Sequence, residues 1–66
     1  MARNDMIDVE DLTFVRSTDA AILVRDPDES EIWLPQSQIE WPEDVDRGDI
    51  LTVTMPEWLA IDKGLI

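Results

Sequence analysis

The chain reads as a mainly β (α+β) domain: a small antiparallel sheet of four or five strands with a short C-terminal helix. Three observations lead there. Apolar residues alternate with period two in short blocks, as a half-buried strand requires. Those blocks are divided by turn chemistry built from Asp, Pro, Ser and Gly. Near the C-terminus the apolar spacing changes to three and four, the spacing of a helix face. The length, 66 residues and 7.6 kDa, holds one small domain. Folding such a chain buries roughly 60% of its surface.

Residues 1–10 show no period and read as a mobile acidic arm, leaving 11–66 as the domain. From Asp11 to Arg16, Leu12 and Phe14 share one face and Thr13 takes the other, which predicts a first strand. Ser17-Thr18-Asp19 marks a turn. Ala20 to Arg25 and Glu31 to Leu34 are β-rich runs divided by Asp26-Pro27-Asp28-Glu29-Ser30. Asp at the first and Pro at the second turn position make this a hairpin. Ile22, Val24, Ile32 and Leu34 then share one face, while Leu23 and Trp33 point to the other. Two faces with apolar content require a sheet that curls on itself or is covered.

Pro35 closes the third run, and Gln38 to Trp41 is expected to be a short extended piece. Pro42 to Gly48 has only Val45 as an apolar residue and is an exposed acidic loop. Ile50 to Met55 alternates cleanly, with Leu51, Val53 and Met55 inward. Pro56 suits the first helical position, Glu57 the first turn, Lys63 the last turn and Gly64 the left-handed position beyond it. Trp58, Ile61 and Leu65 form one stripe, so Trp58 is expected in the core. A helix this short must dock on the sheet. The implied architecture is strongly curved, in the manner of SH3-like or OB-like barrels.

Sixteen acidic residues against five basic ones give a net charge of −11. That sign excludes direct nucleic-acid binding and opposes anionic membranes. No apolar run approaches the ~20 residues of a spanning helix. Met1 to Asp11 carries four carboxylates and no apolar stretch, so it is not read as a signal peptide.

There is no His and no Cys. Acid–base chemistry would rest on carboxylates alone, and no serine has a base to activate it, so the chain is not read as an enzyme. Two segments begin like calcium loops, from Asp26 and from Asp44. The first has Glu31 where glycine is needed and Ser37 at the final ligand position; the second ends on Met55. No cofactor or metal is expected.

The carboxylates fall in groups. Asp26, Asp28, Glu29 and Glu31 surround the hairpin; Glu40, Glu43, Asp44, Asp46 and Asp49 follow in and around the loop. In an extended segment, residues two apart are ~6.7 Å from each other, two rises of a DNA strand. Asp26 with Asp28, Glu29 with Glu31, and Asp44 with Asp46 have that spacing. The alternative is a surface charged only for solubility, for which a magnitude of about 2 to 8 suffices. Trp33 is either a second-layer core residue or an exposed anchor. Trp41, beside Pro42, is either an anchor in a ring of charge or further burial for a small domain.

Trp33-Leu34-Pro35-Gln36-Ser37-Gln38-Ile39 and Pro56-Glu57-Trp58-Leu59-Ala60-Ile61-Asp62-Lys63-Gly64-Leu65 resemble segments of small phage and prophage proteins. These motifs are structural and imply a fold and an origin. In size and acidity the chain also resembles phage anti-defence proteins, particularly DNA-mimicking anti-CRISPRs. That likeness is one of type and transfers no functional residue. It implies an inhibitor in the cytoplasm of a bacterial host, bound to a basic nucleic-acid-binding partner such as a CRISPR effector. The rival expectation is an adaptor of phage DNA metabolism that docks through Trp33 or Trp41.

Overall fold

The computed structural model describes residues 5–66. Four strands, β1 (Met6–Ser17), β2 (Ala21–Arg25), β3 (Glu31–Pro35) and β4 (Ile50–Pro56), form one antiparallel sheet in the order β3-β2-β1-β4. A single 3₁₀ turn, Gln36–Gln38, follows β3, and one short helix, α1 (Glu57–Asp62), follows β4. The expectation of a curved antiparallel sheet with a C-terminal helix holds.

The first strand starts earlier than the alternation indicated. Of the expected arm, residues 1–4 lie outside the described residues, but Met6 to Glu10 belong to β1, and Met6 to Val9 pair with β4. This half does alternate, Ile7 and Val9 inward against exposed Asp8 and Glu10, but only for four residues before a bulge separates it from the phase of Leu12 and Phe14. Two bulges interrupt β1. Val9 faces Val53 and Leu12 faces Leu51, so β1 carries one residue more than β4 over the same span. Asp11 absorbs it with φ 63°, a left-handed conformation that Asp tolerates better than most residues. The phase slips there, and Val9 and Leu12, three apart, both reach the core. Val15 is the extra residue of the second bulge, between the pairs Phe14–Val24 and Arg16–Leu23.

Bulges bend a strand and increase its twist. The N-terminal half of β1 pairs with β4 and the C-terminal half with β2; Thr13 alone belongs to both ladders. The chain leaving β3 at one edge reaches the opposite edge within a few residues, where Glu40 bridges Thr54. A flat sheet would put those points ~19 Å apart, four strand spacings. A 3₁₀ turn plus two extended residues spans only ~13 Å. The sheet therefore curls, and its inner face encloses the core. Leu12, Ile22, Val24, Leu34, Val53 and Met55 are its largest fully buried side chains.

The helix docks on a different face from the one expected. Leu59 and Ala60 are buried, whereas Trp58 is 38% and Ile61 58% exposed. The reason lies in β4, which runs into α1 without a loop. Met55 is fully buried and Pro56 still pairs with Met6, so the strand sets the roll of the helix. Leu59, one turn beyond Met55, returns to the core and Trp58 is turned outward. Pro56 is the N-cap rather than the first helical residue, and Glu57 occupies the first turn. At the C-terminus Gly64 takes the expected left-handed position, while Lys63 is the C-cap and not part of the last turn. Gly64 has φ 73°, its N–H donates to the Ile61 carbonyl, and the Leu65 N–H donates to that of Ala60, a Schellman cap. Leu65 packs against the core.

Candidate acidic interface

The hairpin carboxylates sit on a tightly bonded turn. The Asp26 N–H donates to the Ser30 carbonyl at 3.0 Å, and the Glu29 N–H to the Asp26 carbonyl at 2.8 Å. Asp26 Oδ1 accepts from the Ser30 N–H at 2.8 Å. Pro27 and Asp28 form the turn and Glu29 follows with φ 66°, the three-residue hairpin loop with a left-handed last position. Asp26 is thus partly committed to holding the turn. Glu31, on β3, pairs with Arg25 across the ladder at 3.3 Å. Asp28 and Glu29 are exposed at the tip.

The loop from Pro42 to Asp49 is exposed except for Val45, which packs against the core. Asp49 Oδ2 accepts from the Asp46 N–H at 2.9 Å, and the Asp49 N–H donates back to the Asp46 carbonyl. Gly48, with φ 94°, then donates to the Phe14 carbonyl, and the Phe14 N–H to that of Asp49. These bonds lay the end of the loop along β1.

Most of both segments lack the extended backbone from which the phosphate spacing was expected. Asp26, Asp28 and Glu29 lie in a turn, as does Asp44, so the extended ~6.7 Å separation does not apply to those three pairs. Nor do the two segments form one patch. Arg25 and Ile50 both pair with Thr13, but the hairpin turn continues from there toward Leu12 and the loop toward Phe14. They leave that row in opposite directions along β1.

The sheet itself assembles an acidic row that the sequence did not reveal. Asp8 pairs with Thr54, and Thr54 with Glu40, so all three side chains stand on the outer face. Asp8 Oδ1 accepts from the Thr54 hydroxyl at 2.7 Å. Glu10, two residues along the strand, extends this row with the genuine extended spacing. Glu10 also lines, with Asp26 and Asp28, a cleft of about 260 Å³ beside Leu65. Residues assigned to a mobile arm therefore join the hairpin carboxylates through β1. The signal that could have found them is the alternation of Ile7 and Val9 with Asp8 and Glu10, which the bulge at Asp11 cuts off from the run that starts at Leu12.

The two aromatic candidates separate. Trp41 is half-buried and stacks on Phe14, with ring centroids 5.7 Å apart and planes 15° from parallel. It is tied into the core rather than presented at the mouth of the loop. Trp33 is 41% exposed, and the Arg16 guanidinium lies over its ring at 5.3 Å.

Electrostatically the surface is uncompensated. Among the described residues one ion pair forms, Arg25–Glu31. The net charge of −11 over 4364 Å² is one negative charge per roughly 400 Å². Among the described residues, no group of three or more carboxylates is placed to hold a metal ion, and no helix is long and apolar enough to cross a membrane. No protein-family model, curated protein or solved structure matches the chain.

Proposed function

We propose that the protein is a non-enzymatic phage anti-defence inhibitor that mimics DNA. In this reading its carboxylates occupy a basic nucleic-acid groove, such as that of a CRISPR surveillance complex, in the cytoplasm of the host. The observation that carries the reading is uncompensated charge on an ordered frame. A single ion pair forms among the described residues, while Asp8, Glu10 and Glu40 stand on paired strand positions, or beside them, rather than on a loose tail. A partner's Arg and Lys would supply the missing counterions, and carboxylates on an ordered backbone lose less entropy on meeting them than carboxylates on a loose tail.

The test reverses four exposed carboxylates whose side chains make no hydrogen bond within the described residues: Glu10→Lys, Asp28→Lys, Glu40→Lys and Glu43→Lys. Each reversal adds two units, so the net charge moves from −11 to −3. Each lost contact costs about 1 kcal/mol or more when partly desolvated, and each lysine adds repulsion. Block of DNA binding by a purified CRISPR surveillance complex should disappear while the circular dichroism spectrum stays β-rich. A four-lysine protein that still blocks DNA at physiological salt ends the proposal.

The exposure of Trp33 favours a second reading, an adaptor docking through that ring. Salt separates the two. Charge-led binding weakens steeply as the Debye length shrinks to about 4 Å near 0.5 M NaCl, and aromatic docking hardly changes. In the adaptor case Trp33→Ala, not charge reversal, abolishes binding.

A further inference from the structure

The edge of β3 offers a docking line that the carboxylates alone do not explain. The bonds flanking the β2–β3 ladder set its phase: Asp26 N–H to Ser30 carbonyl at one end, Gln36 N–H to Ala20 carbonyl at the other. In an antiparallel ladder such bonds recur at every second residue. Ile32 and Leu34 therefore turn their peptide groups toward β2. Glu31, Trp33 and Pro35 turn theirs outward, and among the described residues nothing pairs with them. Pro35 suits this edge because its missing N–H would have faced solvent.

Side-chain chemistry along the edge is graded. Outside the ladder stand Glu31, Trp33 and Pro35, and beyond Glu31 come Glu29 and Asp28 of the turn. At the Pro35 end β3 and the 3₁₀ turn carry no charge, and one acid, Asp19, lies between the two residues whose carbonyls Gln36 bonds, against three acids at the other end; Arg16 lies beside the middle of the edge, over Trp33. We infer that β3 accepts an extended partner segment as a fifth, antiparallel strand. The segment sets an apolar residue against Trp33 and lysine or arginine toward its C-terminal end, opposite Glu31 and the turn. Strand addition supplies main-chain hydrogen bonds, and the graded charge fixes direction. The sign of the segment, and with it the direction that the graded charge sets, rests on the basic-partner reading above; its place rests on the edge.

Two synthetic peptides of one composition test this: Thr-Val-Thr-Val-Thr-Lys-Thr-Lys-Lys and the same residues in reverse order. General attraction to an acidic protein treats them alike. Titrated into the ¹⁵N-labelled protein, the first should bind about fivefold more tightly, from its matched cross-strand pairs. It should also shift the Glu31 and Trp33 amides and slow their hydrogen exchange. Glu31→Lys, at an exposed position, should erase the preference. Equal affinity, shifts confined to the acidic turns, or no binding at millimolar peptide overturns the inference. The two readings fail separately. Equal peptide binding beside a four-lysine variant that no longer inhibits discards the edge and keeps the acidic surface. Peptide discrimination with unchanged inhibition by that variant does the reverse.

Discussion

The two faces of the sheet bury apolar residues by different means. The inner face is closed by the fold itself: the sheet curls, α1 contributes Leu59 and Ala60, and Trp41 stacks on Phe14. Among the described residues the outer face has no second layer, yet Leu23 is only 7% exposed there. Its cover comes from its own row. Leu23 pairs with Arg16 on one side and Trp33 on the other, and the Arg16 guanidinium reaches across it to the Trp33 ring. Charged and aromatic side chains lying flat thus do locally what a helix does on the other side. A curled sheet of this size needs one real core, and its back can be shielded by long side chains. The contrast also explains the three tryptophans: one braces the core, one roofs the outer face, and one stands outside the helix.

That contrast is open to measurement by urea denaturation. Leu34→Ala, at a fully buried inner position, should cost about 3–5 kcal/mol, most of the stability of so small a domain. A loss below 1 kcal/mol would show the inner face to be loosely packed. Trp41→Ala should cost about 2–3 kcal/mol, combining lost burial with the stack on Phe14. Trp58→Ala should cost about 1 kcal/mol or less, because its ring is turned outward. If Trp58 proves the more costly of the two, the docking face of α1 has been misassigned.

Leu23→Ala tests the outer face and should cost about 2 kcal/mol, the low end for a buried leucine, since Trp33 and Arg16 can settle onto the smaller residue. A value matching Leu34→Ala would mean the outer row is a second core. The smallest effect has the opposite sign. Glu29 holds φ 66° without being glycine, so Glu29→Gly should stabilise the hairpin by about 1 kcal/mol. A drop in melting temperature would mean that the Glu29 side chain makes a compensating contact.

Much of the fold was legible because it is written locally. The β2–β3 hairpin follows from Asp26-Pro27 between two alternating runs, and the α1 terminus from Gly64 followed by Leu65. The clean alternation of β4 is equally local. The N-terminal half of β1 was legible only as a fragment. Ile7 and Val9 alternate with Asp8 and Glu10 for four residues, and the Asp11 bulge then shifts the phase, so this run does not join the one from Leu12. The acidic surface was legible as a sum but not as a pattern. Counting carboxylates gives the sign of the surface, whereas the Asp8–Thr54–Glu40 row exists only through the pairing of segments far apart in the chain.

By itself the sequence determined the class, the hairpin, the helix cap and the charge, because each depends on neighbours within a few residues. Turn dihedrals, capping bonds and formal charge need no distant partner. Tertiary structure decided which tryptophan is buried, which face of α1 docks, and which carboxylates stand together. Those outcomes depend on strand register and on the roll that β4 imposes on the helix, and a helical stripe of Trp58, Ile61 and Leu65 cannot reveal either. A side chain's fate here is set by the element it is paired with, and pairing is long-range by nature.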